Sequence, residues 1–187
     1  SKHHEGFTNW CSKEAFNWNA CDGGPRRDLV GELSAAVRAE GGMHMGLYHS
    51  IFEWFHPLYL QDKANNYTTR RYVDEVYYPQ ALELNKLYQP DLIWSDGDWE
   101  ANSSYWRSQE FLAWLYNDSP NKEKVIVNDR WGADNPKIGS GHHHGGYFSG
   151  SDRQQAGPEL LHHKWENAFT IDSGTWGYSR VSELNSY

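Results

Sequence analysis

The stretch that decides the fold is LIWSDGDWE, residues 92–100. Its first three residues form an apolar run that a turn follows, which is typical of a strand covered on both faces of a parallel sheet. Asp96 stands where this strand should end, and Gly97 allows the backbone to turn sharply after it. Two interpretations of Asp96 are open at this point. It is either a turn aspartate that bonds its own backbone, as Asp-Gly pairs often do, or a carboxylate held for chemistry.

Strand and helix patterns alternate on both sides of this stretch. The sequence predicts strands over 43–50, 91–96 and 124–129, and helices over 28–41, 70–89 and 104–119. The first helix should bury one face, which consists of Leu29, Val30, Leu33, Ala36 and Val37. Pro79 should divide or kink the second helix, and Ser104 is the expected N-cap of the third. This alternation predicts parallel βαβ units.

Each predicted strand ends in residues that can do chemistry. These are residues 48–50 (Tyr-His-Ser), 95–96 (Ser-Asp) and 128–130 (Asn-Asp-Arg). The carboxyl ends of parallel strands carry the chemistry of α/β proteins, and in (β/α)8 barrels they converge on one pocket. No G-x-G-x-x-G or G-x-x-x-x-G-K-[ST] motif is present, which disfavours a nucleotide-binding sheet. A whole barrel takes about 250 residues, so the 187 residues predict an α/β fold that is part of a (β/α)8 TIM-like barrel.

The composition favours a polar organic ligand such as a carbohydrate. The chain has 10 Trp, 12 Tyr and 10 His, and such rings stack on sugars as well as filling a core. The formal charge of -8 argues against a nucleic-acid partner, and no apolar run reaches the roughly 20 residues of a membrane-spanning helix. We expect no cofactor and no metal. H-E-x-x-H spacing is absent, and His3 and His4 would face opposite sides of a strand.

Cys11 and Cys21 are either a disulfide that closes a short loop or two unrelated thiols. The sequons at Asn66 and Asn102 are consistent with an oxidising, secretory compartment, which favours the disulfide. A third sequon at Asn117 is followed by proline and is weaker.

Two carboxyl groups would make this chain a glycoside hydrolase. One attacks the anomeric carbon while the other protonates the leaving oxygen, and a separation of about 5 Å indicates retention of configuration. Asp96 is the natural candidate for the nucleophile. For the proton donor, the later part of the chain offers Asp152, Glu159 and Glu166.

Several long motifs together resemble one family across nearly the whole chain. They are SKHHEGFTNW, FNWNACDGGPRRDLVGEL, GLYHSIFEWFHPLYL, PDLIWSDGDWE, FLAWLYNDSP, VIVNDRWG, HHGGYF and HHKWENAFTIDSGTWGYSR. In this order they are similar to the tissue-type α-L-fucosidases, glycoside hydrolase family 29. The resemblance implies that Asp96, the aspartate of W-S-D-G, is the catalytic nucleophile.

The resemblance also implies roles in substrate binding. His3 and His4 would contact fucose hydroxyls, and Tyr48 would lie beside the nucleophile. The remaining residues expected to bind substrate are Arg130, Trp54 and Trp176, the last as the wall that meets the C5 methyl group.

The acid/base residue is less defined by the resemblance. Many bacterial relatives have a glutamate a few residues after a Gly-Asp-aromatic motif, and here Ser151 falls at or near that place. A serine cannot be the acid at lysosomal pH, so we predict Asp152, with Glu166 as the second candidate.

The implied protein is a retaining exo-α-L-fucosidase that removes terminal fucose from glycoproteins and glycolipids through a covalent intermediate. We expect it to be lysosomal or secreted and to form a homo-oligomer. Residues 1–187 would be a partial (β/α)8 catalytic domain that lacks upstream strands and a downstream β-sandwich domain, and it should not fold alone. The alternatives are a fucose-binding, lectin-like protein that has lost turnover and, more weakly, a structural or gamete-surface glycoprotein.

Overall fold

Helices and strands alternate along the chain in the computed structural model, which describes residues 1–135, 146–150, 152–153 and 162–185. The elements are α1 (Leu29–Glu40), β1 (Gly46–Ser50), α2 (Pro57–Ala64), a π-helical turn (Val73–Tyr77), α3 (Tyr78–Tyr88), β2 (Leu92–Asp96), α4 (Ser103–Trp106), α5 (Ser108–Asn117) and β3 (Ile126–Val127). The strands pair in the order β1-β2-β3, and both pairings are parallel. The prediction of parallel βαβ units is therefore confirmed.

The register brings the strand ends to one level. Ser50 at the end of β1 lies opposite Asp96 at the end of β2. On the far side of β1, Lys2 forms a parallel bridge with His49, so the first residues of the chain extend the sheet edge. Beyond β3, the amide of Gly146 donates to the Val127 carbonyl at 2.9 Å. The carboxyl edge of the sheet therefore runs from the N-terminal segment, past the three strands, to the segments after β3.

Two of the strands are shorter than predicted. β1 begins only at Gly46, and the residues before it form a turn-like connection in which Met45 and Asp91 bond each other. β3 contains only Ile126 and Val127. It stops early because the side-chain amide of Asn128 takes over the pairing: Oδ1 accepts from the Ser95 amide, and Nδ2 donates to the Ser95 carbonyl.

The second predicted helix is divided, but by a π-helical turn that lies just before Pro79 rather than at the proline itself. Proline has no N–H to offer to a helical bond, and the wider π-helical turn accommodates that loss. The third predicted helix is also two helices, because Arg107 adopts φ = 56° between α4 and α5. The prediction of Ser104 as N-cap is wrong, since Asn102 occupies that position and Asp134 binds the amide and hydroxyl of Ser103.

The sequence analysis missed helix α2. Its first residue is Pro57, whose fixed φ suits the first helical turn. The N-cap is His56, whose Nδ1 accepts from the Leu58 amide at 3.2 Å. Proline at the start was a usable signal, but histidine is not among the residues that normally cap a helix.

The core contains one large and one smaller apolar cluster on the helix side of the sheet. The larger joins Ile93 and Val127 to the buried rings of Tyr77, Trp106 and Trp131. The smaller includes Leu47 of β1, Val30 of α1 and Leu84 of α3. The face predicted for α1 is partly wrong: Val30 and Ser34 are buried, whereas Leu33 is 57% exposed and Ala36 is exposed.

A buried ion pair fixes the N-terminal segment to the loop after β1. The side chain of Lys2 is fully buried, and its Nζ lies 2.9 Å from Glu53 Oε1 and 3.4 Å from the Tyr72 hydroxyl. Gly6 packs against the same carboxylate, where a Cβ atom would come within 2.6 Å of Glu53 Oε2. This pair positions the two histidines that follow Lys2 at the sheet edge.

Across the described parts of the chain, we find no helix with both the length and the apolar character needed to cross a bilayer.

Candidate active site

Asp96 lies at the carboxyl end of β2 and is bound by side chains from other segments. The Tyr48 hydroxyl donates to Oδ2 at 2.6 Å, and Arg130 Nη1 donates to Oδ1 at 3.1 Å. His4 Nε2 is 3.6 Å from Oδ2. The side chain of Asp96 is only 12% exposed. These contacts favour the second interpretation of Asp96, a carboxylate held at a site.

Gly97 makes this arrangement sterically possible. Its φ is 80°, a value that side-chain-bearing residues rarely adopt. A Cβ atom there would also lie 2.2 Å from the Phe52 ring and 3.0 Å from Ser50 Oγ. The glycine thus allows β1 and β2 to end close together around Asp96.

Tyr48 faces Asp96 as a permanent hydrogen-bond donor. Burial, followed by the charge of Asp96, raises the pKa of the Tyr48 phenol above its usual value. The ring also stacks on Trp94 of β2, with 5.5 Å between centroids.

Arg130 joins two carboxylates. Besides Asp96, it binds Asp152 Oδ1 through Nη2 at 3.1 Å, and Ser149 holds its Nε at 3.0 Å. The guanidinium also lies over the Trp94 ring, 4.5 Å from the centroid. Although burial opposes its charge, Asp96 and Asp152 hold the pKa of Arg130 above its ordinary value. The predicted nucleophile and the predicted acid/base residue therefore share one cation.

Glu166 contacts the edge of the Trp94 ring, whereas Arg130 lies over its face. The indole Nε1 donates to both of its carboxylate oxygens, at 3.0 and 2.9 Å. Burial, followed by the charge of Glu166, raises the pKa of the neighbouring Tyr147. Glu166 is half-buried, whereas the side chain of Asp152 is 60% exposed. The two candidates for the acid/base residue are thus connected to Asp96 in different ways: Asp152 through Arg130, and Glu166 through Trp94 of the same strand.

The two histidines lie side by side, which corrects the expectation that they face opposite sides of a strand. Their ring centroids are 4.0 Å apart, because residues 3–6 form a turn in which the Gly6 amide donates to the His3 carbonyl. The His3 ring stacks on Tyr48 at 5.7 Å, and Trp54 packs against His4 at 5.1 Å. Trp99 meets the other side of His4 at 5.4 Å. In the described ranges, no group of three or more His, Cys, Asp or Glu side chains could hold a metal ion.

The His4 imidazole is kept neutral by its surroundings. Burial, followed by the positive field of His3, lowers its pKa to about 4, although Asp96 acts in the opposite direction. At neutral and mildly acidic pH, His4 therefore faces the site as an uncharged ring.

Some predicted positions lie away from these contacts or outside the described residues. Trp176 is 59% exposed, and within residues 1–135, 146–150, 152–153 and 162–185 no hydrogen bond or ring contact links it to Asp96. Ser151, Glu159 and the histidine run 142–144 fall outside the described residues.

The disulfide and the two sequons that the sequence analysis associated with secretion can be located in the structure. A disulfide joins Cys11 and Cys21, with 5.2 Å between their Cα atoms, and Asn66 and Asn102 of the two sequons are both exposed.

Sequence reasoning named Ser50 among the strand-end residues but gave it no role, and it missed Ser149; both support the site without being charged. Ser50 Oγ lies 2.7 Å from His4 Nδ1, and Ser149 holds Arg130 while bonding Asp129 at 2.6 Å. The available signal for Ser50 was its place at a strand end, two residues after Tyr48 and on the same face. No comparable signal marked Ser149.

A parallel sheet whose carboxyl edge carries several carboxylates, an arginine, paired histidines and tryptophans is the arrangement of barrel-type glycoside hydrolases. Comparison with known proteins agrees. The family model described as Alpha-L-fucosidase matches residues 1–187, and the chain belongs to this family.

Two relatives and one solved structure illustrate the similarity. The chain is 56% identical over 187 residues to an alpha-L-fucosidase of Branchiostoma floridae, covering 100% of the chain and 40% of the relative. It is 52% identical over 187 residues to the plasma alpha-L-fucosidase of Rattus norvegicus, covering 100% of the chain and 39% of the relative. It resembles the crystal structure of the Thermotoga maritima alpha-fucosidase in complex with fucose, with 32% identity and a TM-score of 0.69 over 99% of the chain and 40% of that structure. The chain thus spans about 40% of the length of these proteins. The structural similarity also confirms the predicted α/β fold class.

Proposed function

We propose that this chain is part of a retaining exo-α-L-fucosidase that releases terminal fucose from glycoproteins and glycolipids. The observation that carries the proposal is the Asp96 carboxylate, which is held at the end of β2 between the Tyr48 hydroxyl and the Arg130 guanidinium. Family membership supports the same activity.

In this proposal Asp96 is the nucleophile. One of its oxygens attacks the anomeric carbon, the bond to the leaving oxygen breaks, and a fucosyl ester forms that water then hydrolyses. Tyr48 and Arg130 orient the carboxylate before attack. They also stabilise its negative charge again when the ester is cleaved.

We assign the acid/base role to Asp152, because the shared guanidinium links its charge to that of Asp96. When Asp96 becomes an ester, Arg130 loses one of its two anionic partners. It can then stabilise the negative charge that Asp152 carries when it acts as general base on water.

Glu166 remains the second candidate for the acid/base role. Its partner is the neutral indole of Trp94 rather than a cation. A group that must carry a proton in the first step gains from the absence of a neighbouring positive charge.

The substrate would be held by His3, His4, Tyr48, Arg130 and Trp54, which surround Asp96. Histidines, a phenol and a guanidinium supply the hydrogen bonds that sugar hydroxyls need, and tryptophans offer flat apolar faces. We keep Trp176 as a proposed contact for the C5 methyl group. The partners are accordingly fucosylated glycans.

We also infer a lysosomal or secreted location. The disulfide between Cys11 and Cys21 and the exposed sequons at Asn66 and Asn102 both suit the secretory pathway. The name of the rat plasma relative points in the same direction.

The nucleophile is tested by Asp96→Gly in the full-length protein with an aryl α-L-fucoside as substrate. Turnover should fall by several orders of magnitude, because covalent catalysis is lost while the binding groups remain. Azide should restore release of a good leaving group in part. The matched control is Asp98→Asn, which keeps an oxygen to accept from the Gly132 amide and should leave turnover near normal.

Near-normal turnover by Asp96→Gly would refute the assignment. The lectin-like alternative predicts fucose binding without turnover in the unaltered protein. It is less well supported, because Asp152 and Glu166 both accompany Asp96 at the site.

A further inference from the structure

The hydrogen bonds around Ser50 determine which nitrogen of His4 carries the proton. Ser50 Oγ lies 2.9 Å from the Phe52 carbonyl oxygen and 2.7 Å from His4 Nδ1. A carbonyl oxygen can only accept, and a serine hydroxyl has one hydrogen to donate. The hydroxyl hydrogen therefore goes to Phe52, and Ser50 Oγ accepts from an N–H at Nδ1 of His4.

A neutral imidazole has only one N–H, so a proton at Nδ1 leaves a lone pair at Nε2. Neutrality is maintained because burial, followed by His3, lowers the pKa of His4 to about 4. The other charged groups that act on this ring are Asp96, Glu5 and Lys2. His4 thus presents an acceptor, not a donor, at a point 3.6 Å from Asp96 Oδ2.

Asp96 Oδ2 is itself an acceptor and already receives the Tyr48 hydroxyl at 2.6 Å. Two acceptors side by side favour a ligand group that donates, and a sugar hydroxyl is such a group. The opposite tautomer, with the proton at Nε2, would instead direct an N–H toward Asp96. That bond would occupy the nucleophile and lower its reactivity.

We propose that Ser50 is a positioning residue for the reaction. It fixes the tautomer of His4 so that Nε2 accepts a hydrogen bond from a hydroxyl of the bound sugar and leaves Asp96 free to attack. The proposal rests on the proposed fucosidase function and adds the hydrogen-bonding direction of this site.

Besides the bond from its hydroxyl to the Phe52 carbonyl, the backbone at Ser50 is held by bonds that do not involve the side chain. Its amide donates to the Lys2 carbonyl at 3.0 Å, and the next amide donates to the Asp96 carbonyl at 2.7 Å. Ser50→Ala should therefore keep the strand end in place. Ser50→Thr retains a hydroxyl and is the conservative variant.

The test uses the full-length protein with ¹⁵N-labelled histidine, in which the His4 resonances are assigned by comparison with His4→Asn. At pH 7 the unaltered protein should show His4 protonated at Nδ1. Ser50→Ala should show the proton moved to Nε2, with kcat on an aryl α-L-fucoside lowered roughly 10- to 100-fold, by analogy with the loss of groups that orient metal-ligating histidines. Ser50→Thr should restore both the tautomer and kcat.

Ser119→Ala is the matched control, because Ser119 is also a buried serine whose hydroxyl donates to a backbone carbonyl, that of Leu115. It should change neither the His4 signals nor kcat. A proton at Nε2 of His4 in the unaltered protein overturns the proposal, and this result needs no Ser50 variant to fold. A tautomer unchanged by Ser50→Ala, or changed with normal kcat, also overturns it. The ¹⁵N measurement reads the tautomer even in a protein without turnover, so failure of the fucosidase proposal is detected separately by Asp96→Gly.

Discussion

At the scale of single residues, the site depends on the Arg130 guanidinium and the Trp94 ring, because each of them contacts more than one other group of the site. Arg130 binds Asp96 and Asp152 while it lies over Trp94, and Trp94 donates to Glu166. Five groups, two from β2 and three from the segments after β3, are thus linked by direct contacts. A change at any one of them alters the charge or the orientation of the next, so single variants need to be compared as pairs.

The acid/base residue can be identified from the leaving group. Asp152→Ala should lose most activity on oligosaccharides, about 10²- to 10⁴-fold, because their basic leaving oxygen requires protonation. An activated aryl fucoside departs largely unaided, so its fucosylation step should be kept, and azide should rescue the second step. Glu166→Ala is the matched variant and should lose activity to the same degree on both substrates. Pre-steady-state rates measure the first step directly.

If the two variants exchange behaviours, Glu166 is the acid and Asp152 is a residue that supports Arg130. If neither variant responds to the leaving group, both assignments are wrong.

Sequence reasoning predicted the charged residues of the site better than their supports. Asp96 and Arg130 were accessible because strand ends in parallel sheets carry chemistry and because long motifs surround them. The role of Ser50, and Ser149 altogether, were not, because a serine acts here only through the geometry of a neighbour, His4 or Arg130. The side-by-side histidines were mispredicted since the turn at Gly6 depends on packing against Glu53, a contact 47 residues away in the sequence.

At the scale of elements, the sequence predicted the presence of a helix or strand more reliably than the residues at which it begins and ends. The apolar run of β2 is a strong local signal, whereas β3 is shortened by the Asn128 side chain and the third predicted helix is divided by the conformation of Arg107. Arg107 is held there by Asp74, 3.1 Å away, and by the Tyr78 ring, 4.0 Å away. Such distant partners override the local helical pattern.

The loop closed by Cys11 and Cys21 is an element whose contribution can be measured. The two cysteines are 10 residues apart, and closing a loop of this size restricts the unfolded chain by on the order of 2–3 kcal/mol. The double variant Cys11→Ser/Cys21→Ser of the full-length protein should lose about that much free energy of unfolding in a denaturant titration. Non-reducing peptide mapping of the unaltered protein is the control. Unchanged stability, or two free thiols in the map, would contradict this expectation.

At the scale of the whole molecule, buried histidines make the fold sensitive to acid. Burial, as the largest cause, lowers the pKa of His4, His49 and His56 below the ordinary value. Above pH 6.5 these rings are neutral in both the folded and the unfolded chain, so their contribution to stability is fully present. Below that pH these histidines bind protons in the unfolded chain but not in the folded chain. The free energy of unfolding should therefore fall as the pH drops below 6.5, by up to about 1.4 kcal/mol per pH unit for each ring, until that ring is protonated in the folded chain as well.

The test compares urea unfolding at pH 7 and pH 5 for the full-length protein and two variants. His49→Gln should reduce the loss on acidification, because a fully buried ionisable ring is removed. His44→Gln is the matched control, since the His44 side chain is 89% exposed, and it should leave the loss unchanged. Equal losses in all three proteins would mean that the buried histidines do not set the acid response.

Strands β1 and β2 pair residue by residue along their whole length, and this register limits how the protein can evolve. Along both strands, alternate residues have separate roles: Leu47, His49 and Ile93 pack towards the helices, while Tyr48 and Asp96 contact each other on the opposite face, at the candidate site. Selection for a new substrate can therefore act on one set of positions while selection for folding acts on the other. An insertion or deletion of a single residue would exchange the two sets at once, so these strands can change by substitution but not in length.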